Sequence, residues 1–389
     1  MPTTPPKNSA DRRAALLFIV CLGVVSLFAD MTYEGAYSGI GSLLRSMGAT
    51  AFTVALISGV GEMLAAGLRY FSGKAADRTR AYWPLVTLGY ALNLLAIPGL
   101  AFATSWPVVA LLVVVERTGK AIRGPARDVL LSEATGVVGH GSGFGIHAAM
   151  DQIGAVIGPL LMGYAIGRFH GVKHAYLILA IPAALALLSI LIARSVRRGH
   201  AEPPSPKPPQ DLTRAYWMCV VASGVLAAGF FDFPLLTLHL TKTGVLSDAT
   251  VAYLYAAAMG ATGLTALICG KLFDRFGMAV LVVGVLATMT ALPLGFLGGE
   301  RAAVAAIILW GAGLGVQDAT LRPQIAKIVS MHKRGAAFGA FHGVFGVMWF
   351  LGSVVMGLLY DYSMPALVAF GMGAQILAVM LFLAARELR

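Results

Sequence analysis

Two carboxylates stand four residues apart in the stretch SLFADMTYEGAYSG, residues 26 to 39: Asp30 and Glu34. That spacing sets both on one face of a helix, and the residues leading into them form an apolar run. A charged acid inside hydrocarbon costs roughly 2.5–3.5 kcal/mol on insertion scales, so such a pair must meet water or a partner. A carboxylate held in that setting can take up and release a proton, which makes the pair a candidate proton site. Neutralisation of a fixed cation such as Arg117 is the competing reading of the same two acids.

Other polar side chains interrupt apolar segments in the same way: Glu62, Arg117, the cluster His147, Asp151 and Gln152, then Asp232 and His239, then Gln317, Asp318, Arg322, His342 and Trp349. Histidine titrates near physiological pH, so His147 and His342 are candidate proton relays; a hydrogen-bonded helix contact accounts for either equally well. Trp349, Tyr33 and Tyr37 offer rings for an aromatic or cationic ligand, with packing as the alternative. Arg123, Arg127 and Asp128 are expected at an inner gate or as topological anchors. The candidate proton and substrate set is therefore Asp30, Glu34, Glu62, Arg117, His147, Asp151, Asp232, Asp318, His342 and Trp349.

The elements that must position them are membrane helices. Of 389 residues, 58% are hydrophobic and 12% charged, with mean hydropathy +0.79; a soluble domain carries about 25% charged residues. Apolar segments recur at about 20 residues, the length that crosses a bilayer core. They predict twelve spans: 14–42, 51–71, 82–103, 106–130, 143–168, 174–194, 214–241, 249–272, 278–297, 302–327, 335–359 and 364–386. The polar start, 1–13, lacks a cleavage site after a short apolar core, so the first span is a retained helix rather than a signal peptide.

The net charge of +11 does not point to nucleic acid. With both termini in the cytosol, the inner loops hold Lys74, Arg78, Arg80, Arg194, Arg197, Arg198, Lys207, Arg214, Lys271, Arg275, Lys333 and Arg334, while the outer segments hold Arg45, Arg168, Lys173, Lys242 and Arg301. That asymmetry is the positive-inside pattern of a multi-pass plasma-membrane protein. Cys21, Cys219 and Cys269 lie far apart in apolar spans and suggest neither a disulfide framework nor a metal site. No phosphate-loop motif occurs, so neither ATP-driven transport within this chain nor an enzyme is indicated.

The polar, proline-rich segment 195–213 divides the chain into a cytosolic tail, 1–13, a six-helix bundle, 14–194, a cytosolic linker, 195–213, and a second bundle with a short tail, 214–389. The halves echo each other. GKAADR, from Gly73, returns 197 positions later as GKLFDR, from Gly270, and Ile157-Gly158 and Met162-Gly163 return 194 positions later as Leu351-Gly352 and Met356-Gly357. FAD at 28–30 is echoed by FFD at 230–232. Two parallel repeats around a central pathway are a transporter plan.

These motifs resemble the major facilitator superfamily along essentially the whole chain. Gly73, Asp77 and Arg78 match its G-x-x-x-D-R-x-G-(K/R) loop, although Thr79-Arg80 replace the usual ending; the second copy, Gly270, Asp274 and Arg275, does end in glycine, Gly277. Gly154, Gly158 and Pro159 resemble the fifth-helix signature of the family's antiporters, with Gly163 one position late. ERTGKAIRGP resembles the fourth-helix region, with Arg117 two residues before Gly119 where the pattern places arginine four before. The resemblance implies an all-α membrane protein of twelve helices in two six-helix bundles. It implies conformational gating by the two loops and the glycine–proline seam, with Asp77 facing the start of span eleven near Gly335 when the outer side is open. The expected activity is secondary active transport by alternating access in a functional monomer, without a cofactor beyond the proton gradient. Its partners are protons, a small-molecule substrate and the bilayer, not nucleic acid. Antiport exporting small amphipathic or drug-like compounds is the first expectation. Proton symport importing a polar organic solute or metal chelate is the alternative, and a membrane-embedded sensor or enzyme is the contrasting class.

Overall fold

A computed structural model describes residues 9–169, 171–196, 213–329 and 334–387. Twelve membrane-length segments follow one another: α1 Ser9–Ser46, α2 Ala51–Thr79, α3 Tyr82–Phe102, α4 Trp106–Val138, α5 His140–Phe169, α6 Val172–Val196, α7 Arg214–Lys242, α8 Asp248–Phe276, α9 Met278–Leu297, α10 Glu300–Ile328, α11 Arg334–Tyr362 and α12 Met364–Glu387. Eleven are apolar enough to cross a membrane by composition alone. The exception is α4, where Glu116, Arg117, Lys120, Arg123, Arg127 and Asp128 crowd four turns. Its charges are offset within the protein where Glu116 and Glu62 hold Arg117 and Tyr90 stacks on Arg123.

Two predicted spans are not continuous helices. In α7 a helix over Arg214–Gly229 gives way to a second over Phe233–Lys242. Pro234 has no amide to donate, and its ring excludes the carbonyl four residues back, so the chain must reopen there. The Asp232 carbonyl restarts the helix by accepting from Leu235 and Leu236 at 3.1 and 3.3 Å. In α9 the break falls between Thr288 and Ala291, just ahead of Pro293.

The internal repeat is visible in how the helices begin, end and pack. Thr50 and Ser247, 197 positions apart, cap α2 and α8 alike, each side-chain oxygen accepting from a backbone amide three residues on at 3.1 Å. Both helices end on positive φ, at Arg80 (53°) and Gly277 (58°). Only the second copy has the residue type that tolerates this without strain. A Cβ at Gly158 of α5 would fall on the Met31 carbonyl of α1; a Cβ at its counterpart Gly352 of α11 would fall on the Ala228 carbonyl of α7. Likewise Gly119 of α4 abuts Asn93 of α3, and Gly313 of α10 abuts Thr288 of α9.

α1 to α6 form one six-helix bundle and α7 to α12 the other, joined chiefly where α2 meets α11, α5 meets α8 and α1 meets α7. Because successive helices alternate in direction, one end of the molecule carries the start of α1 and the α2–α3 turn (the near end). The other carries the α1–α2 and α7–α8 turns (the far end). Buried apolar residues at the far end form one core shared by both bundles, running from Ile40, Leu43 and Val54 to Phe233, Leu236 and Tyr360. At the near end there are two cores, one around Phe18, Tyr90 and Ile190 and the other around Tyr216, Leu281 and Phe382. The bundles share one core at the far end and keep separate cores at the near end.

Candidate functional site

A cavity of about 350 Å³ lies between the bundles, lined by residues of α1, α2, α4, α8, α10 and α11. Its volume is within the roughly 300–1,000 Å³ of small-molecule sites. The inner wall is aromatic: Tyr33, Tyr37, Tyr255, Trp310 and Trp349. Around them stand Glu34, Glu62, Arg69, Arg117, Lys120, Asp318, Arg322 and His342.

On the first bundle's side, Arg117 is held by two carboxylates, Glu62 at 3.1 Å and Glu116 at 3.2 Å, and lies over the Tyr37 ring at 5.3 Å. Asn93 of α3 fixes Glu116 in turn, its Nδ2 donating to Oε1 at 2.7 Å. Lys120, one turn along α4, places its Nζ 4.0 Å from the Tyr33 ring centroid. Glu34 crosses to the other bundle: its Oε2 accepts from the Tyr255 hydroxyl at 2.6 Å. A second inter-bundle bond runs from Gln152 Nε2 of α5 to the Met259 carbonyl of α8. At the far end Arg45 pairs with Asp248 at 3.3 Å.

The two acids that share a face of α1 go to different places. Glu34 lines the cavity, whereas Asp30 is 6% exposed and lies against α5 beside Gly154, with Asp151 and Arg123 among its electrostatic neighbours. Neither acid neutralises Arg117 by direct contact; Glu62 does. Asp151 and His147 belong to a polar chain inside the first bundle. His147 Nδ1 meets Asp151 Oδ2 at 3.3 Å, its Nε2 meets Ser26 Oγ at 3.0 Å, and Arg127 donates to that same hydroxyl at 3.4 Å. Arg123 is buried and stacked on Tyr90 at 4.3 Å, in the interior of the first bundle.

Asp232 occupies the break in α7 at 1% exposure. Trp349 Nε1 donates to one of its oxygens at 2.6 Å and Ser353 Oγ to the other at 2.5 Å. It therefore sits behind the Trp349 wall and outside the cavity lining. Of the ten sequence candidates, Glu34, Glu62, Arg117, Asp318, His342 and Trp349 line the cavity; Asp30, His147, Asp151 and Asp232 do not. Sequence reasoning passed over Arg69, Lys120, Tyr255 and Trp310. Lys120 was legible in principle, as a cation on the same helical stripe as Arg117.

Of the loop motifs, Gly73 faces Pro125 of α4 at ordinary contact distance. Arg78, Asp274 and Arg275 are exposed and make no ion pair among the described residues; Arg275 lies over the Phe276 ring. Gly335 lies in the first turn of α11, and the Asp77 side chain falls outside the described residues. Pro159 follows Gly158 inside an uninterrupted α5.

The profile of the Major Facilitator Superfamily matches residues 20–353. An uncharacterized protein of Mycobacterium tuberculosis is 39% identical, over 98% of this chain and 95% of its own. An uncharacterized MFS-type transporter of Methanocaldococcus jannaschii is 22% identical over 97% of both chains. Among solved structures, a mutant of the nucleoside transporter NupG superposes with a TM-score of 0.78 at 13% identity, covering 95% of this chain and 99% of that one.

Proposed function

Because this chain belongs to the Major Facilitator Superfamily, a transporter family, we propose that it is a proton-coupled secondary active transporter working by alternating access, with Glu34 as the proton-carrying group. One observation supports this above the others: Glu34 is the cavity carboxylate whose hydrogen bond joins the two bundles. A hydrogen bond to an ionised acceptor is roughly twice as strong as a neutral one. A proton arriving on Glu34 thus weakens the Tyr255 contact and loosens one bundle from the other, while its departure restores the grip.

Basic loops concentrate at the near end, which by the positive-inside rule faces the cytosol together with the linker 195–213 and both termini. The cavity then opens inward, in the membrane that bounds the cell. The fifth-helix seam of Gly154, Gly158 and Pro159 resembles that of antiporters, and on that ground the first reading is export of small amphipathic organic compounds in exchange for protons. The cations lining the cavity favour a second reading, proton symport bringing a polar organic solute inward.

The test is flux in proteoliposomes carrying a pH-sensitive dye, screened across organic solutes under imposed proton gradients of either direction. Glu34→Gln is expected to abolish gradient-driven accumulation while preserving substrate exchange between the two sides. Gradient-driven uptake that is undiminished in Glu34→Gln removes Glu34 from the mechanism, and the direction of proton movement separates the two readings.

A further inference from the structure

The acids and bases of the cavity do not all pair off by contact. Glu62 is committed to Arg117 and Glu34 to the Tyr255 hydroxyl. Lys120, Arg69 and Arg322 have no carboxylate within ion-pair distance among the described residues. The buried Nε of Arg69 has no hydrogen-bond partner among the described residues. Asp318, one turn from Arg322, makes no ion pair among them either, so the lining carries four cations against three acids, with three of the cations lacking a contact counter-ion. Cations held in a partly dry cleft without counter-ions are costly, and an incoming anion relieves that cost.

A second observation concerns shape. Behind Tyr33 and Tyr37 a separate recess of about 40 Å³ opens among α1 to α4 and Pro234 of α7, walled by Ile40, Leu44, Ile57 and Leu112; the two tyrosines and Arg117 line both spaces. A single water needs roughly 10–15 Å³ by this measure, so the recess is large enough for a short branched alkyl group; its wall is mostly apolar, with Ser58, Glu116 and Arg117 as its polar residues. Lys120 stands at the junction, its Nζ over the Tyr33 ring.

From these we infer that the cavity selects an amphipathic organic anion: a carboxylate or like head met by Lys120 and the unpaired arginines, an apolar body on the aromatic wall, and a small alkyl branch in the recess. A cationic substrate would meet three cations that lack a contact counter-ion, and a neutral one would leave them without one. The inference deepens the transport reading by naming its substrate class, and it rests on the central cavity being the substrate site.

Binding of three matched probes to the purified full-length protein, followed by tryptophan fluorescence from Trp310 and Trp349, tests it: 4-isobutylphenylacetate, its primary amide, and 2-(4-isobutylphenyl)ethylamine. A charge-assisted contact contributes enough to make the carboxylate bind roughly tenfold tighter than the amide or more, with the amine weakest. In Lys120→Met the carboxylate should fall to within about threefold of the amide; Lys120→Arg should retain the preference. Equal or tighter binding of the amide or amine overturns the inference, as does a preference that survives Lys120→Met, or no binding of any probe. Should Lys120→Met fail to fold, the wild-type ratio and Lys120→Gln decide. Proton coupling is read independently in the Glu34→Gln flux, so either idea can fail while the other stands.

Discussion

Asp232 shows how a single carboxylate is made tolerable inside a membrane protein. At 1% exposure it sits where α7 breaks, and each of its oxygens has a dedicated donor, Trp349 and Ser353. Removing one partner of a buried hydrogen bond to a charged group exposes the desolvation cost of that group, about 1–3 kcal/mol or more. Ser353→Ala is therefore expected to lower the thermal unfolding midpoint of the purified protein by several degrees without changing its secondary structure. A midpoint equal to wild type would mean that Asp232 does not depend on the hydroxyl. This residue also marks the limit of sequence reading at its own scale. FAD and FFD look like repeats, yet Asp30 lies on a continuous helix and Asp232 in a helix break. Spacing of i, i+4 correctly placed Asp30 and Glu34 on one side of α1. It carried no information on which neighbours that side meets, and the 40° between the two positions is enough to send one acid to α5 and the other to α8.

Among the elements, the contact between α5 and α1 is closest at glycines. Side chains are absent at Gly154 and Gly158 because the carbonyls of Leu27 and Met31 occupy the places where Cβ atoms would be. Small residues are what let helix backbones approach this closely in lipid. Gly158→Ala should push α5 off α1 and destabilise the fold by about 1–3 kcal/mol. Gly145→Ala, where nothing lies within 4 Å of the added atom, should be neutral or mildly stabilising. Comparing the fraction of each variant that elutes as a monodisperse peak after mild heating checks this; equal losses in the two would show that backbone approach is not what the glycine permits. The seam was legible because glycine and proline act through the backbone and leave their mark in spacing. The breaks in α7 and α9 were harder to see. Hydropathy is blind to whether an apolar segment is one helix or two, and only Pro234 and Pro293 signal the interruption. On α4 the two signals disagreed, since its charges hide a crossing helix from a hydropathy criterion although its length and neighbours require one.

For the molecule as a whole, the transport reading proposed above makes the shared far-end core and the separate near-end cores one side of an alternating cycle, and the forces closing the far end are of two kinds. Arg45–Asp248 is a half-exposed ion pair, with side chains 36% and 25% accessible, and such pairs are worth about 0.2–1 kcal/mol. The second is steric fit, with Gly41 of α1 lying directly on the Pro234 carbonyl of α7. Breaking the ion pair in Arg45→Ala should shift the balance between conformations by no more than about fivefold. A side chain at position 41 cannot be accommodated without separating α1 from α7, and overpacking of this sort costs about 1–3 kcal/mol, equivalent to roughly 5–150-fold. Gly41→Leu should accordingly populate a state open at the far end and closed at the near end. Spin labels at positions 49 and 245, in a background without the native cysteines, report the difference as a longer distance in Gly41→Leu and a nearly unchanged one in Arg45→Ala. If Gly41→Leu folds and keeps the wild-type distance, the shared far-end core is a permanent junction between the bundles, and alternating access cannot proceed by opening there.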